Sequence, residues 1–223
     1  MEPHNLASLI DHTLLKPDAT RPAIEKLCAE AREHAFFSVC INPYWIADAK
    51  KLLAGSPVQV CTVIGFPLGA SLPQSKMHAA QDALRTGADE LDMVLNIGAA
   101  KEGHWNFIEH EIHEVVSAAK GHLVKVILET CLLTPDEIIE ASRAAQRAGA
   151  AFVKTSTGFS TGGATVEHVQ LMRQTVGPDM GVKASGGIRD RQTALAMVQA
   201  GATRLGTSNG VAIVTNTTPT GTY

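Results

Sequence analysis

Three lysines recur at intervals of 29 residues: Lys125 in LVKVILET, Lys154 in FVKTSTGF and Lys183 in GVKASGG. Each follows apolar residues of the kind that build buried strands. An ammonium group there costs several kcal/mol unless it is paired or gives up its proton. Asp11, Asp92 and Glu129, also in or beside apolar runs, are candidate partners. Convergence of three lysines adds a second possibility, because mutual repulsion and burial both favour removing a proton from one of them. A free lysine has a pKa of about 10.4 and is neutral in only a few molecules per ten thousand at pH 7. Bringing it to about 7 costs roughly 4–5 kcal/mol and yields an amine that condenses with carbonyls. Schiff-base chemistry is therefore the specific activity this pattern points to.

Glycine-rich turns accompany the lysines: STGFSTGGAT (156–165), SGGIRD (185–190) and GTSNG (206–210). Backbone N–H groups at such turns and at helix starts bind phosphate. Paired turns beside a candidate nucleophile read as a phosphate cradle. The histidines carry less. His110 and His113 lie three apart in WNFIEHEIHEVV, without HExxH spacing or a third ligand, and read as a solvated helix face. His12 adjoins Asp11 in a strand pattern, where neighbours point to opposite faces. The four cysteines form no CxxC motif, and Cys40, Cys61 and Cys131 read as small buried hydrophobes. No metal or cofactor motif is present.

The elements that must position these groups are legible as eight short apolar runs, at 9–13, 36–42, 58–66, 90–98, 123–130, 152–157, 181–185 and 203–208. Helical patterns lie between them. Ile24, Leu27, Cys28 and Ala31 follow i, i+3, i+4, i+7 spacing over residues 21–35, and Arg189–Ala200 follows SGGI. Residues 133–150 open with Thr134 as N-cap, Pro135 at N1 and Glu137 for a capping box, and close at Gly149. RTGADELD, RAGAAFVK and QAGATRLG repeat one helix–Gly–Ala–strand joint. Alternating strands and helices imply parallel pairing, and eight units imply an α/β single-domain (β/α)8 TIM barrel. An open doubly wound sheet normally carries GxGxxG after its first strand, and none occurs. The expected division is a barrel over residues 1–214 and a flexible tail over 215–223. In such a barrel the chemistry sits at the C-terminal strand ends. Those ends carry Asp11, Thr13, Cys40, Asn42, Gly65, Asp92, Asn96, Lys125, Glu129, Thr130, Lys154, Thr155, Lys183, Ser185, Gly206 and Ser208.

A net charge of −3 over 223 residues, with no basic runs, argues against nucleic acid or an anionic membrane as partner. No apolar run approaches the roughly 18 residues a membrane span needs. The N-terminus lacks a signal-peptide pattern, so a cytoplasmic location is expected.

The motifs IDHTLLKPDAT (10–20), VCINP (39–43), VIGFPLGA (63–70), ELDMVLNIG (90–98), KVILET (125–130), FVKTSTGF (152–159), GVKASGGIRD (181–190) and RLGTSNG (204–210) occur in this order. Together they make the chain resemble the deoxyribose-phosphate aldolase family over essentially its full length. The resemblance implies a class I aldolase that reversibly cleaves 2-deoxy-D-ribose 5-phosphate to D-glyceraldehyde 3-phosphate and acetaldehyde. It implies Lys154 as the Schiff-base lysine, Lys183 as the neighbour that depresses its pKa, and Asp92 as the acid/base acting through water. Lys125, Asp11, Thr13 and Cys40 would support these groups. Thr155, Gly158, Gly186, Gly187, Gly206 and Ser208 would contact the substrate and its phosphate. No metal is implied, since the iminium is the electron sink. Two features depart from some relatives: Phe159 stands where a phosphate-holding lysine follows TSTG, and the terminal Tyr223 follows a short segment that leaves room for an incomplete eighth helix. A homodimer or larger homo-oligomer is expected. The alternative is a Schiff-base aldolase or transaldolase acting on another phosphorylated sugar. A catalytically dead sugar-phosphate sensor would have lost the lysines or the acid, and all are present.

Overall fold

The computed structural model describes residues 6–218. Its strands are β1 (Ile10–Leu14), β2 (Ser38–Ile41), β3 (Gln59–Ile64), β4 (Glu90–Val94), β5 (Leu123–Ile127), β6 (Phe152–Lys154), β7 (Gly181–Ser185) and β8 (Arg204–Thr207). All are parallel and paired in chain order, and β8 returns to β1, so the sheet is a closed barrel. Around it run α1 (Arg21–Glu33), α2 (Ile46–Leu52), α3 (Pro73–Thr86), α4 (Ile97–Lys101), α5 (Trp105–Ala118), α6 (Pro135–Arg147), α7 (Val166–Val176), α8 (Arg191–Gln199) and α9 (Gly210–Thr215). This is the expected (β/α)8 TIM barrel, with α4 added after β4.

Local chemistry explains the joints. On α6, Thr134 Oγ1 accepts from Glu137 N and the Glu137 carboxylate accepts from Thr134 N, which is the expected capping box. The three Gly-Ala joints are one structure built three times. Ala88, Ala150 and Ala202 donate their N–H to the carbonyls of Ala83, Ala145 and Met197, while Gly87, Gly149 and Gly201 sit at positive φ. This six-to-one bond over a left-handed glycine is the Schellman motif. The alanine is then buried, and the next N–H enters the barrel: Asp89 bonds Val60 O, Ala151 bonds Val124 O and Thr203 bonds Val182 O.

Several strands end sooner than their β-rich composition predicts. The run at 90–98 stops at Val94, because Asn96 caps α4 by accepting from Ala99 N. The run at 152–157 leaves regular pairing after Lys154. The main core fills the space between sheet and helices, including the predicted face of α1, Ile24, Leu27, Cys28 and Ala31. One buried ion pair joins α3 to α5: Lys76 Nζ donates to Glu111 Oε1 at 2.7 Å and to the carbonyls of Gly69 and Val94. Burial moves Lys76 down and Glu111 up, each opposed by the other's charge.

The helix after β8 is short. Thr215, assigned above to the tail, is the last residue of α9, and Asn209 occupies its N-cap position without a side-chain cap bond. Residues 219–223, including Tyr223, lie outside the described residues.

Candidate active site

The barrel interior carries a cluster of charged side chains beside a small apolar group of Leu15, Cys40, Cys61 and Val63. Register explains how. Asp92 on β4 lies beside Lys125 on β5, Lys154 on β6 beside Lys183 on β7, and Lys183 beside Arg204 on β8. Inward-facing positions on adjacent strands thus bring the three lysines together, as their equal spacing predicted.

Asp92 is the hub, and it is fully buried. Its Oδ1 accepts from Lys125 Nζ at 2.8 Å and from the Cys61 thiol at 3.2 Å. Its Oδ2 accepts from Lys154 Nζ at 2.8 Å and Lys183 Nζ at 2.7 Å. Lys183 also donates to Asp11 Oδ2, and Lys125 to Glu90 Oε2 at 2.6 Å. Arg204 closes the floor, reaching Asp11 Oδ1 at 2.9 Å and Glu90 Oε2 at 3.0 Å with its guanidinium over the Phe37 ring. Four cations therefore face three carboxylates, Asp11, Glu90 and Asp92.

The charges set one another. Burial alone would raise Asp92, but Lys125, Lys154 and Lys183 drive it well below the usual carboxylate range. Asp11 is held low in the same way by Lys183, Lys125 and Arg204, against burial. Burial works to lower Lys183 and Lys125, yet the surrounding carboxylates carry both above the ordinary lysine range. Burial pushes the Cys61 thiol well up, so it stays a donor to Asp92, while Cys61's hydrogen bond pulls Cys40 down.

These directions give a pH prediction. A carboxylate depressed on folding contributes stability that is complete above its unfolded value, about 3.9, and is lost as pH falls through the folded value. A lysine raised on folding contributes fully below about 10.4 and loses that contribution as pH rises through its folded value. The stability difference between the wild type and Asp11→Asn is thus expected to be constant from about pH 5 to 9 and to shrink below about pH 4. Urea unfolding at stepped pH reads it, and a gap that is widest in acid would contradict this assignment.

Above the network a cavity of about 250 Å³ opens at the C-terminal strand ends. Lys154 is the lysine of the three that lines it; Lys125 and Lys183 lie sealed beneath. Thr13, Gly158, Gly186, Gly187, Gly206 and Ser208 line it as well. Gly186 and Gly187 sit at φ 81° and 79°, turning successive N–H groups in a way that left-handed glycines permit. Gly163 packs so closely on this turn that an added Cβ would lie 2.3 Å from Gly186 O.

Other sequence readings are placed differently. Thr155 does not line the cavity: its hydroxyl donates to Ser185 O and accepts from Ser185 N, tying β6 to β7. Cys40 is buried beneath the mouth with Leu15, Cys61 and Val63. Cys61 is more than a small hydrophobe, and Cys131 is only half-buried, beside Thr161 Oγ1. His12 turns away from the mouth to Glu30 of α1 at 2.7 Å. His110 and His113 are exposed on α5.

The sequence reading passed over Glu90, Arg204, Thr157 and Arg189, the last of which lines the cavity at the glycine turn. Glu90 and Arg204 were visible in principle, being two residues before Asp92 and Gly206 and hence on the same strand face. Among the described residues, Cys40, Cys61 and Asp92, and also Asp11, Cys61 and Glu90, bring metal-ligating atoms within 4.8 Å. Their carboxylates already bind ammonium or guanidinium groups, which a divalent ion would have to displace, so neither set suits a metal.

The cavity thus brings together a lysine at its wall, a buried carboxylate in contact with that lysine, and glycine turns along its rim. The family model for DeoC/LacD family aldolases matches residues 6–218. The chain belongs to this aldolase family. It is accordingly an enzyme of the lyase class. Deoxyribose-phosphate aldolase from Brevibacillus brevis is 61% identical over 217 residues, covering 97% of this chain and 98% of the relative. The enzyme of that name from a Geobacillus strain is 58% identical, covering 99% of each. The tetrameric deoxyribose phosphate aldolase from Aeropyrum pernix superposes with a TM-score of 0.89 at 38% identity, over 95% of this chain and 90% of that one. Among the described residues no helix of this aldolase is long and apolar enough to cross a membrane.

Proposed function

We propose that this aldolase is a class I enzyme that reversibly cleaves 2-deoxy-D-ribose 5-phosphate through an imine on Lys154. The observation that carries the reading is an asymmetry among three clustered amines. Lys183 and Lys125 each hold two or more carboxylates, whereas Lys154 has one oxygen of Asp92, shares it with Lys183, and faces the cavity. Lys183 is anchored on its other side by Asp11, whereas Lys154 has no second carboxylate and is the amine a carbonyl in the cavity can reach.

In the cleavage direction the free amine of Lys154 attacks C1 of the open-chain sugar, and loss of water gives an iminium. The iminium withdraws electrons as the C2–C3 bond breaks and the C3 hydroxyl gives up its proton. Asp92, ionised and in contact with Lys154 Nζ, accepts that proton directly or through one water. D-glyceraldehyde 3-phosphate leaves, the enamine takes a proton at C2, and hydrolysis releases acetaldehyde. The phosphate would rest on the N–H groups of Gly158, Gly186, Gly187 and Gly206 and on Ser208. Arg189 lies on the same wall and would supply a guanidinium where Phe159 supplies no charge. Lys125 and Asp11 would act by holding Asp92 and Lys183. The Aeropyrum relative supports assembly as a homo-oligomer, and we place the enzyme in the cytoplasm, in the degradation of deoxyribose phosphate.

The test is product analysis. Incubation with 2-deoxy-D-ribose 5-phosphate should release acetaldehyde and D-glyceraldehyde 3-phosphate in equal amounts, unaffected by a chelator. Turnover of another phosphorylated sugar with none of this one would overturn the substrate assignment in favour of a Schiff-base aldolase or transaldolase of different specificity.

A further inference from the structure

Glu129 ends the segment after β5 with φ 58° and ψ 60°, a left-handed conformation that few residues other than glycine adopt. Its side chain is 2% exposed. Among the described residues no cation pairs with it. Its compensation comes mainly from Thr157, on the neighbouring strand end, with the Cys131 thiol 3.9 Å from Oε1. Thr157 N–H donates to Oε1 at 3.3 Å and to Oε2 at 3.4 Å, and the Thr157 hydroxyl donates to Oε2. That hydroxyl in turn accepts from Phe159 N at 3.0 Å. The turn Thr157–Gly158–Phe159 is thus clamped from below by one carboxylate, and Thr157 and Gly158 form a wall of the cavity. A buried carboxylate on a strained backbone is a costly means of holding a loop. It also places negative charge near the end of the cavity read as binding phosphate, so its benefit must be geometric.

We propose that Glu129 is a positioning residue for phosphate recognition. Its left-handed backbone turns the carboxylate toward Thr157, and Thr157 fixes the Gly158 amide at the cavity wall. The inference rests on the proposed phosphate end of the cavity and adds a residue that does not touch the substrate.

The test compares the wild type with Glu129→Gln, Glu129→Gly and Thr157→Val. Glutamine retains an acceptor oxygen within reach of Thr157. Glycine removes the acceptor and relieves the positive φ, so the backbone gives no reason for misfolding. Inorganic phosphate affinity is read by calorimetry, which needs no turnover, alongside KM and kcat for 2-deoxy-D-ribose 5-phosphate and the rate of borohydride trapping with acetaldehyde. Phosphate affinity and KM are expected to weaken about 10–100-fold in Glu129→Gly and several-fold in Thr157→Val. Glu129→Gln should remain within about threefold, with kcat and acetaldehyde trapping nearly constant in all. Unchanged phosphate affinity in Glu129→Gly, a loss confined to kcat, or a wild type that does not bind phosphate would overturn the proposal. A wild type that binds phosphate but traps no acetaldehyde would instead count against Lys154, and the titration would still decide the role of Glu129.

Discussion

Lys154→Met is expected to lower the rate of deoxyribose-phosphate cleavage by at least about 10⁴-fold while leaving the barrel as stable as the wild type, or more so. The kinetic part follows from losing the covalent nucleophile. No neighbouring amine can substitute, because Lys125 and Lys183 are sealed beneath the cavity and engaged by two or more carboxylates each. The stability part follows from charge balance. The wild-type interior sets four basic side chains against three carboxylates, and methionine, a side chain of similar reach, leaves Lys125, Lys183 and Arg204 with Asp11, Glu90 and Asp92. The substitution breaks none of the pairs those six groups make, whereas breaking a balanced buried pair costs about 3–5 kcal/mol. Steady-state assay and thermal unfolding on the same sample separate the two effects. Loss of activity together with a large loss of stability would show that Lys154 is a structural cation.

Asp92→Asn should do the opposite to stability. Its carboxylate accepts from Lys125, Lys154, Lys183 and the Cys61 thiol, and an amide of the same shape leaves those ammonium groups without their common anion. A loss of about 3–5 kcal/mol is expected. A drop in kcat of about 10²–10⁴-fold should accompany it, for want of the proton acceptor. Methyl exchange of acetaldehyde in deuterated water isolates that role, since enamine formation exchanges those protons without an acceptor sugar. The variant should still form some trapped imine yet exchange at least about 10²-fold more slowly. Undiminished exchange would remove Asp92 from the proton relay.

The parts of this site that were legible from sequence are those where one residue type conflicts with its surroundings. A lysine or aspartate in an apolar strand is such a conflict, and it exposed Lys125, Lys154, Lys183 and Asp92. The helix–Gly–Ala joints were equally plain, because the bond from Ala88 to Ala83 and its two copies each close within six consecutive residues. What escaped depends on contacts across the barrel. Glu90 and Arg204 satisfy each other only when β4 and β8 face inward across the closed sheet. Lys76 looks like an ordinary solvated helix lysine until α3 packs on α5 and encloses it with Glu111. The resemblance puts Thr155 at the substrate, but neighbours on an extended chain point to opposite sides, and its hydroxyl is taken by Ser185. The predicted strand 152–157 overran because threonine and serine suit a strand, while Glu129 draws Thr157 out of it.

The most direct test of the central claim is borohydride reduction in the presence of acetaldehyde, followed by mass mapping of the peptides. The imine on Lys154 should be fixed as an ethyl group, a single adduct on the peptide that contains FVKTSTGF and absent from Lys154→Met. An adduct on Lys125 or Lys183, or none at all, would contradict the assignment of the nucleophile.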